Sequence, residues 1–226
     1  MDLFDFDIFL NMNIVLLQVP SLLLFVSILF LHIVKRNVEV AFAYGLQSLV
    51  IVALFVGLFL ETGKWSFFVL ACIGFIAKVI MAPMFMIHLV KKFGVSFLVS
   101  SYATAPVLLV VVAALTAFAH SDVLSPLVMI VPEHRDFAAL ALSSVFVSLF
   151  LIMNRKGAIS QIAGILSLEN SIVAFGLFSL VSQSLILEIG TIFAFSVWVI
   201  IATTFTAMMY SHFGSLDVTQ MKHLRD

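Results

Sequence analysis

The chain is predicted to be an all-α integral membrane protein with seven transmembrane helices. Hydrophobic residues make up 63% of its 226 residues and charged residues only 10%, and the mean hydropathy is +1.25. Soluble domains contain about 45–50% apolar and about 25% charged residues, so a soluble fold of this size could not bury so much apolar surface. In addition, apolar stretches of about 20 residues, the length that crosses a bilayer, recur along the chain.

Seven spans follow from these stretches. The first contains Pro20, the third contains Pro83 and the fourth has Pro106 at its middle, where prolines can kink a membrane helix. A turn-rich segment, residues 120–136, precedes the fifth span, and the tail after the seventh is polar. The predicted spans are Asn11–Val34, Val38–Leu60, Trp65–Val90, Ser96–Ala119, Phe137–Met153, Ala158–Val181 and Ile189–Tyr210.

The distribution of cations predicts the orientation. Most cations fall on one side of the seven-span arrangement, and the other side has only Lys64 and Arg135 beside several carboxylates. By the positive-inside rule the N-terminus is outside and the C-terminus is cytoplasmic. The acidic start of the chain is unlike a cleavable signal peptide, so the first span is expected to be permanent. The cations on the cytoplasmic side are Lys35, Arg36, Lys91, Lys92, Arg155, Lys156, Lys222 and Arg225.

A faint internal repeat relates Ile33–Phe55 to Leu151–Phe175. In each copy a basic pair closes one span, and Gly45 follows Arg36 at the spacing at which Gly164 follows Arg155. Such repeats are common in membrane transport folds. The repeat predicts two parallel three-helix units, spans one to three and five to seven, joined by span four. The chain then divides into a four-helix part (residues 1–119), a three-helix part (137–210) and a cytoplasmic tail (211–226).

Two ionisable residues lie in the middle of predicted spans, Lys78 in the third and Glu169 in the sixth. A charge at the bilayer centre costs about 2.5–3.5 kcal/mol on insertion scales and is usually functional. A lysine held away from water also gives up its proton more readily than a solvated one. Both residues are therefore predicted to relay protons. The alternatives are a static ion pair of Lys78 with Glu169 or with a neighbouring subunit, and a protonated Glu169 that only hydrogen-bonds another helix.

Other polar residues are candidates to support a relay. Gln161 lies two turns before Glu169 on its helix face, and Asn170 and Ser171 follow Glu169 directly. This clustering of polar atoms favours a hydrated path. Tyr44 and Gln47 form a polar patch on the second span, for which hydrogen bonding between helices is the more usual role. His88, at the cytoplasmic end of the third span, is either a solvated boundary residue or a proton entrance.

Several function classes are excluded by what the sequence lacks. The net charge of −1 argues against nucleic-acid binding, because there is no basic stripe to neutralise phosphates. The lone Cys72 allows neither a disulfide framework nor a thiolate metal site and is expected to be a buried structural thiol. No histidine pair has haem or metal spacing, and no phosphate-binding glycine loop is present. No catalytic, cofactor-binding or metal-ligating residue is therefore assigned to this chain.

Four segments resemble the E component of hydrogenase-4 type complexes, and they occur in the order found in that family. They are QSLVIVALF (Gln47–Phe55), AKVIMAPMFM (Ala77–Met86), QIAGILSLEN (Gln161–Asn170) and GSLDV (Gly214–Val218). The last three spans are also similar to the three-helix K subunit of respiratory complex I, which has a basic loop followed by a glycine and a membrane glutamate.

The resemblance implies a non-catalytic subunit of a formate hydrogenlyase or related group 4 hydrogenase, in a bacterial or archaeal cytoplasmic membrane. Its partners would be antiporter-like membrane subunits and a soluble hydrogenase arm, whose chains hold the nickel–iron and iron–sulfur centres. The complex would translocate protons or sodium. The first glutamate of the K subunit aligns near Leu166, one helical turn from Glu169, and its second near Ser196, where this chain has no acid. By the repeat, Lys78 takes that second position in the first copy.

Two other functions remain open at this point. One is a subunit of a multi-subunit cation/proton antiporter that has no redox partner. The other is a purely structural scaffold in which Lys78 and Glu169 form a permanent ion pair.

Overall fold

The computed structural model describes residues 14–92, 100–128, 135–179 and 210–211, and these are helical apart from short connections. This confirms the prediction of an all-helical fold for the part of the chain that is described. The elements are α1 (Ile14–Ile33), α2 (Asn37–Thr62), α3 (Trp65–Gly74), a π-helical segment (Phe75–Met81), α4 (Ala82–Lys92), α5 (Ala105–Ala119), a 3₁₀ turn (Asp122–Leu124), α6 (Ser125–Val128), α7 (Arg135–Asn154) and α8 (Ala158–Ser179).

Four of these helical stretches are long and apolar enough to cross a membrane. They are Asn37–Leu60, Trp65–Lys92, Arg135–Asn154 and Ala158–Leu177. A fifth arises if α5 and the 122–128 segment, which are bent by 50° relative to each other, are counted as one broken span. Within α1, the stretch Val19–Ile33 is apolar but shorter than these four. The predicted seventh span lies outside the described residues except for Tyr210.

Most predicted spans agree with observed helices, but the fourth does not begin where predicted. It starts at Ala105 rather than Ser96, and residues 100–104 are not helical. Pro106 therefore lies in the first turn of α5 instead of at the middle of a helix, so the predicted kink at Pro106 was wrong. Proline is favoured at this position because the first helical N–H groups have no partner within the helix.

The third span is continuous from Trp65 to Lys92 but changes its hydrogen-bonding pattern at Phe75–Met81, which is π-helical. The N–H of Ala82 donates to the carbonyl of Ala77, one residue further back than in an α-helix. Pro83, which has no N–H to donate, follows directly. Since π segments are rare and frequently occur at functional sites, it is relevant that Lys78 is the central residue of this one.

Turns and close helix contacts set how the helices pack. Gly63, between α2 and α3, has a φ of 67°, a left-handed conformation that glycine adopts without strain. At Gly45 an added Cβ would lie 3.2 Å from Pro83, and at Gly164 it would lie 2.8 Å from Ile152. The two glycines that the sequence repeat aligns thus both lie at close contacts between helices, although the repeat itself stays a prediction.

The inside and the outside of the bundle are unlike those of a soluble protein. Buried side chains of α1, α2, α7 and α8 form much of the core, and buried serines lie among them. Large apolar side chains are exposed on the outside, for example Leu60 (72%), Val110 (69%) and Met153 (75%). Cys72 is also exposed, so the expectation of a buried thiol was wrong. An extended apolar exterior is typical of a surface that contacts lipid or another protein.

Candidate functional site

Lys78 and Glu169 form an ion pair between the π segment and α8. The ammonium nitrogen Nζ of Lys78 lies 2.6 Å from Oε1 and 2.5 Å from Oε2 of Glu169. The Lys78 side chain is 5% exposed and that of Glu169 is 21% exposed. The structure thus brings together the two residues singled out by sequence, and it places both inside the helical bundle.

The pair lies halfway along both helices. Lys78 is at the centre of the 28-residue stretch Trp65–Lys92, and Glu169 is near the middle of the 22-residue α8. At 1.5 Å per residue, the nearer helix end is about 20 Å from Lys78 and about 15 Å from Glu169, so both residues lie at a depth that corresponds to the middle of a hydrocarbon layer about 30 Å thick. Neither residue is close enough to a helix end for its charged group to reach the membrane surface comfortably.

Asn170 links the ion pair to α2. Its carbonyl oxygen Oδ1 accepts a hydrogen bond from Lys78 at 3.2 Å, and its Nδ2 donates to the hydroxyl of Ser48 at 3.1 Å. Asn170 is fully buried, as is Ser48. The prediction that Asn170 supports the site has a clear geometric basis, because its amide fixes the position of the ammonium relative to α2.

A second set of hydrogen bonds joins α2, α7 and α8. Nε2 of Gln47 donates to the hydroxyl of Ser167 at 2.9 Å. The hydroxyl of Ser148 lies 3.1 Å from that of Ser167 and 3.2 Å from that of Ser171. All four residues have an exposure of 0%. Gln47 therefore has the role between helices that its position in the second span suggested. Its partner Ser167, and Ser148 beyond it, were not singled out from the sequence, whereas Ser171 was noted there as part of the polar cluster after Glu169.

Tyr44 lies one turn before Gln47 and Ser48 on α2. It is fully buried, and its phenol lies near the carboxylate of Glu169 and the hydroxyl of Ser48. Its hydroxyl has no hydrogen-bond partner among the described protein atoms. Tyr44 thus belongs to the surroundings of the ion pair.

Gln161 and His88 lie apart from this cluster. Nε2 of Gln161 donates to the backbone carbonyl of Arg155 at 2.8 Å, so this amide supports the connection before α8 rather than a path at Glu169. His88 is exposed near the end of α4, as are Lys91 and Lys92. This position fits the solvated boundary residue that was one of its two predicted roles.

A second buried cation, Arg155, was not predicted from the sequence, in which it served only as a signal of membrane topology. The guanidinium donates to the carbonyl of Leu31 and, at 3.0 Å, to that of Val34, at the C-terminal end of α1. Arg155 is 2% exposed. Burial lowers its pKa to about 10, so the group remains ionised at neutral pH. In the repeat, the matching Arg36 instead forms an exposed pair with Glu39.

The backbone around Arg155 ties three elements together. The N–H of Tyr102 donates to the carbonyl of Asn154 at 2.9 Å, and the N–H of Lys156 donates to that of Ser100 at 3.1 Å. Oδ1 of Asn154 accepts from the N–H of Ala103 at 2.8 Å. These contacts, together with the Arg155 guanidinium, join the end of α1, the start of α5 and the connection between α7 and α8. We call this set of contacts the α1–α5–α8 junction.

The described ranges contain no cluster of three or more histidine, cysteine, aspartate or glutamate residues that could hold a metal ion. The ammonium and the carboxylate of the ion pair offer acid–base chemistry and hydrogen bonding. A carboxylate and an ammonium in direct contact can exchange one proton, and that exchange converts two opposite charges into two neutral groups.

Comparisons with known proteins identify a relative but no family. No protein-family model matches the chain, and no solved structure matches it. A segment of 113 residues is 33% identical to the uncharacterized protein Rv0085 of Mycobacterium tuberculosis (strain ATCC 25618 / H37Rv). The match covers 50% of this chain and 50% of that protein. The chain is therefore similar over half its length to one bacterial protein whose name states no activity.

Proposed function

We propose that the chain is a non-catalytic membrane subunit of a group 4 [NiFe]-hydrogenase or formate hydrogenlyase complex and takes part in proton translocation. The observation that carries the proposal is the Lys78–Glu169 ion pair, which lies halfway along two helices of membrane-spanning length. The resemblance of four segments to hydrogenase-4 component E supports the choice of complex. Antiporter-like membrane subunits and a soluble arm with nickel–iron and iron–sulfur centres are the proposed partners.

The proposed mechanism is electrostatic. Electron transfer in the soluble arm changes the charge next to the membrane part, and this changes the relative proton affinities of Lys78 and Glu169. Because the two groups are in contact at 2.5 Å, a change in the charge of one directly affects the other. A proton that enters or leaves the pair changes its net charge, and neighbouring hydrated subunits respond to that change. Sodium is the alternative ion for those neighbours.

The proposed topology has seven spans, with the N-terminus outside a bacterial or archaeal cytoplasmic membrane and the C-terminus in the cytoplasm. Two parallel three-helix repeats, joined by the fourth span, make up the proposed arrangement. The apolar exterior of the bundle and the cation bias of the connections support this topology.

One observation favours a second candidate, a structural scaffold. The Lys78 ammonium has three N–H donors, and its contacts include both oxygens of Glu169 and Oδ1 of Asn170. A cation with such a complete set of acceptors resembles a permanent contact between helices. In that case the pair stabilises the orientation of the π segment on α8 and does not change its protonation.

The deciding experiment purifies the complex and compares Glu169→Gln with a matched control. Glu39→Gln is the control because it makes the same chemical change in the exposed Arg36–Glu39 pair. Three quantities are measured: the subunits that co-migrate, hydrogen evolution, and proton uptake in vesicles. We expect Glu169→Gln to leave assembly and electron transfer intact and to abolish most proton translocation, while Glu39→Gln leaves all three unchanged.

Each contrary outcome has a distinct meaning. Full proton translocation in Glu169→Gln rejects the relay and leaves the scaffold. Absence of co-migrating hydrogenase subunits, with cation/proton exchange retained, rejects the hydrogenase assignment and leaves an antiporter without a redox partner.

A further inference from the structure

The directions of the hydrogen bonds in the serine cluster can be derived from the contacts. The hydroxyl of Ser171 donates to the carbonyl of Ser167 at 2.9 Å, because a carbonyl oxygen can only accept. Ser171 has one hydroxyl hydrogen, so in its contact with Ser148 it is the acceptor. Ser148 therefore donates its only hydrogen to Ser171. In the remaining contact, Ser167 must donate to Ser148. Each of the three serine hydroxyls thus donates one hydrogen bond, in the order Ser167 to Ser148, Ser148 to Ser171, and Ser171 to the Ser167 carbonyl.

This order also fixes the orientation of the Gln47 amide. The hydrogen of Ser167 is committed to Ser148, so Ser167 can only accept from Gln47, and the atom that faces it must be Nε2. If the amide were rotated by 180°, Ser167 would have to donate its hydrogen to Oε1. No hydrogen would then remain for the contact between Ser167 and Ser148. The carbonyl oxygen Oε1 of Gln47 therefore points elsewhere. It is buried and accepts no hydrogen bond from a described protein atom.

A second chain of hydrogen bonds runs from the ion pair towards Tyr44. Lys78 donates to Asn170, and Asn170 donates to Ser48. Ser48 lies near the Tyr44 phenol, whose hydroxyl has no hydrogen-bond partner among the described protein atoms. Tyr44 can both donate and accept, so the second chain ends at its hydroxyl, whose own hydrogen needs an acceptor.

The two chains thus end on complementary atoms. A donor, the hydroxyl of Tyr44, and an acceptor, Oε1 of Gln47, belong to residues three apart on α2, and such residues share one face of a helix. Both residues have an exposure of 0%. Leaving either atom without a partner costs about 1–3 kcal/mol, and native structures usually supply a buried water with two to four polar partners in such places.

We propose that the hydroxyl of Tyr44 and the carbonyl oxygen of Gln47 hold one ordered water molecule that joins the two chains. The water accepts from Tyr44 and donates to Gln47. The hydrogen bonds then run in one direction from Lys78 to the Ser167 carbonyl. A sodium ion is disfavoured at this position because the ammonium of Lys78 begins the chain that ends there. The site itself does not depend on proton translocation. Only the further role of this water as a proton acceptor near Glu169 rests on the proposed function.

The test uses the full chain in lipid bilayers with glutamine side chains labelled with ¹⁵N, and it measures magnetisation transfer from water to the Gln47 amide by solid-state NMR. Tyr44→Phe removes only the hydroxyl. Tyr102→Phe is the matched control, because Tyr102 is exposed and contacts Lys156 through its ring. We expect transfer to Gln47 in the unaltered chain, a several-fold loss in Tyr44→Phe, and no change in Tyr102→Phe.

Gln161 is the internal reference for folding, because its amide is bound at the separate α1–α5–α8 junction and should keep its signal in both variants. Absence of transfer to Gln47 in the unaltered chain overturns the proposal, and so does equal transfer in Tyr44→Phe. A high-resolution density map gives a second test. A single density within hydrogen-bonding distance of both atoms supports the water, whereas a direct Tyr44–Gln47 hydrogen bond, or transfer that depends on sodium, contradicts it. None of these outcomes depends on whether the complex translocates protons.

Discussion

The protein buries two cations in different ways. Lys78, 4% exposed, is in contact with the carboxylate of Glu169 at the middle of its helix. Arg155, 2% exposed, is bound by the carbonyls of Leu31 and Val34 between helices. The charge of Lys78 can be neutralised by proton transfer to its partner, while the charge of Arg155 cannot. The comparison separates a site that can change its protonation from one that holds the bundle together.

The environment of Arg155 explains why a permanent charge is favourable there. The last carbonyls of a helix have no partner within the helix and lie at the negative end of its dipole. The planar guanidinium can donate to two acceptors in a fixed geometry, so it satisfies carbonyls of Leu31 and Val34 together. At the ion pair, by contrast, both partners are side chains whose charges depend on protons.

The largest effect is expected for Glu169→Leu, which leaves the ammonium of Lys78 buried without a counter-charge. Breaking a buried ion pair from one side costs about 3–5 kcal/mol. Since Glu169 is 21% exposed, we expect a loss at the lower end of this range, about 3 kcal/mol in the free energy of unfolding, measured by denaturant titration in mixed micelles.

The matched variants are Lys78→Met and the double variant. Lys78→Met should cost less than Glu169→Leu, because Glu169 is partly exposed and can bind a proton. The double variant Lys78→Met/Glu169→Leu should recover much of the loss, because apolar replacements of a buried pair are often well tolerated. Additive losses in the double variant would contradict a direct pair at 2.5 Å.

The next largest effect concerns the α1–α5–α8 junction. Arg155→Met removes the hydrogen bonds to the end of α1, and hydrogen bonds of a charged group contribute about 1.5–3 kcal/mol. We expect a loss of about 2 kcal/mol in the free energy of unfolding. Arg155→Lys should restore only part of it, because an ammonium lacks the planar arrangement of donors. Full rescue by lysine would show that only the charge matters.

The same variant tests how the contribution of Arg155 to stability depends on pH. Burial lowers the folded-state pKa of Arg155 to about 10, well below the ordinary value of a guanidinium. Above pH 10 the folded state therefore loses its proton before the unfolded state, and stability rises with pH there. Below pH 10 both states hold the proton, so the loss in Arg155→Met should be the same at about pH 6 and about pH 8. A clear difference would mean that another titrating group is coupled to the junction.

The sequence predicts two buried ionisable residues and offers their contact only as one of several alternatives. Lys78 and Glu169 stand out because charges within apolar stretches are rare, and this signal needs no knowledge of packing. Their distance depends on the register between α8 and the π segment, for which a single sequence contains no direct signal. Most helices were likewise predicted to within a few residues, since apolar length is a strong signal. The start of α5 was predicted too early because the apolar stretch begins several residues before Ala105, where the helix begins.

The serine cluster and Arg155 were missed for a different reason. A serine in an apolar helix can bond the preceding turn of its own helix, as Ser144 does with Leu140 at 3.0 Å, or it can bond another helix. The sequence does not distinguish these cases. Similarly, Arg36 and Arg155 occupy matching positions of the repeat, yet the first is exposed and the second is buried. Only the surrounding helices determine which cation is enclosed.

The smallest effect is expected for Ser148→Ala, which tests whether the serine cluster is a connected network. The variant removes the acceptor for Ser167 and the donor for Ser171, whose hydroxyls lie 3.1 Å and 3.2 Å from Ser148. Hydrogen bonds between membrane helices contribute on average about 0.6 kcal/mol, with a maximum of about 1.7 kcal/mol. Because two such bonds are lost, we expect a loss of about 1 kcal/mol in the free energy of unfolding.

Ser144→Ala is the matched control, because Ser144 is equally buried on α7 and bonds only its own helix in the contacts that are described. It should cost less than Ser148→Ala.

The comparison extends to the coupling between Ser148 and Gln47. If the hydrogen bonds run in one direction, Ser148→Ala frees the hydrogen of Ser167, and this weakens the need for the Gln47 contact. The effects of Ser148→Ala and Gln47→Leu should then sum to more than the effect of the double variant. Strict additivity would show that each serine acts alone and that no network connects α2 with α7.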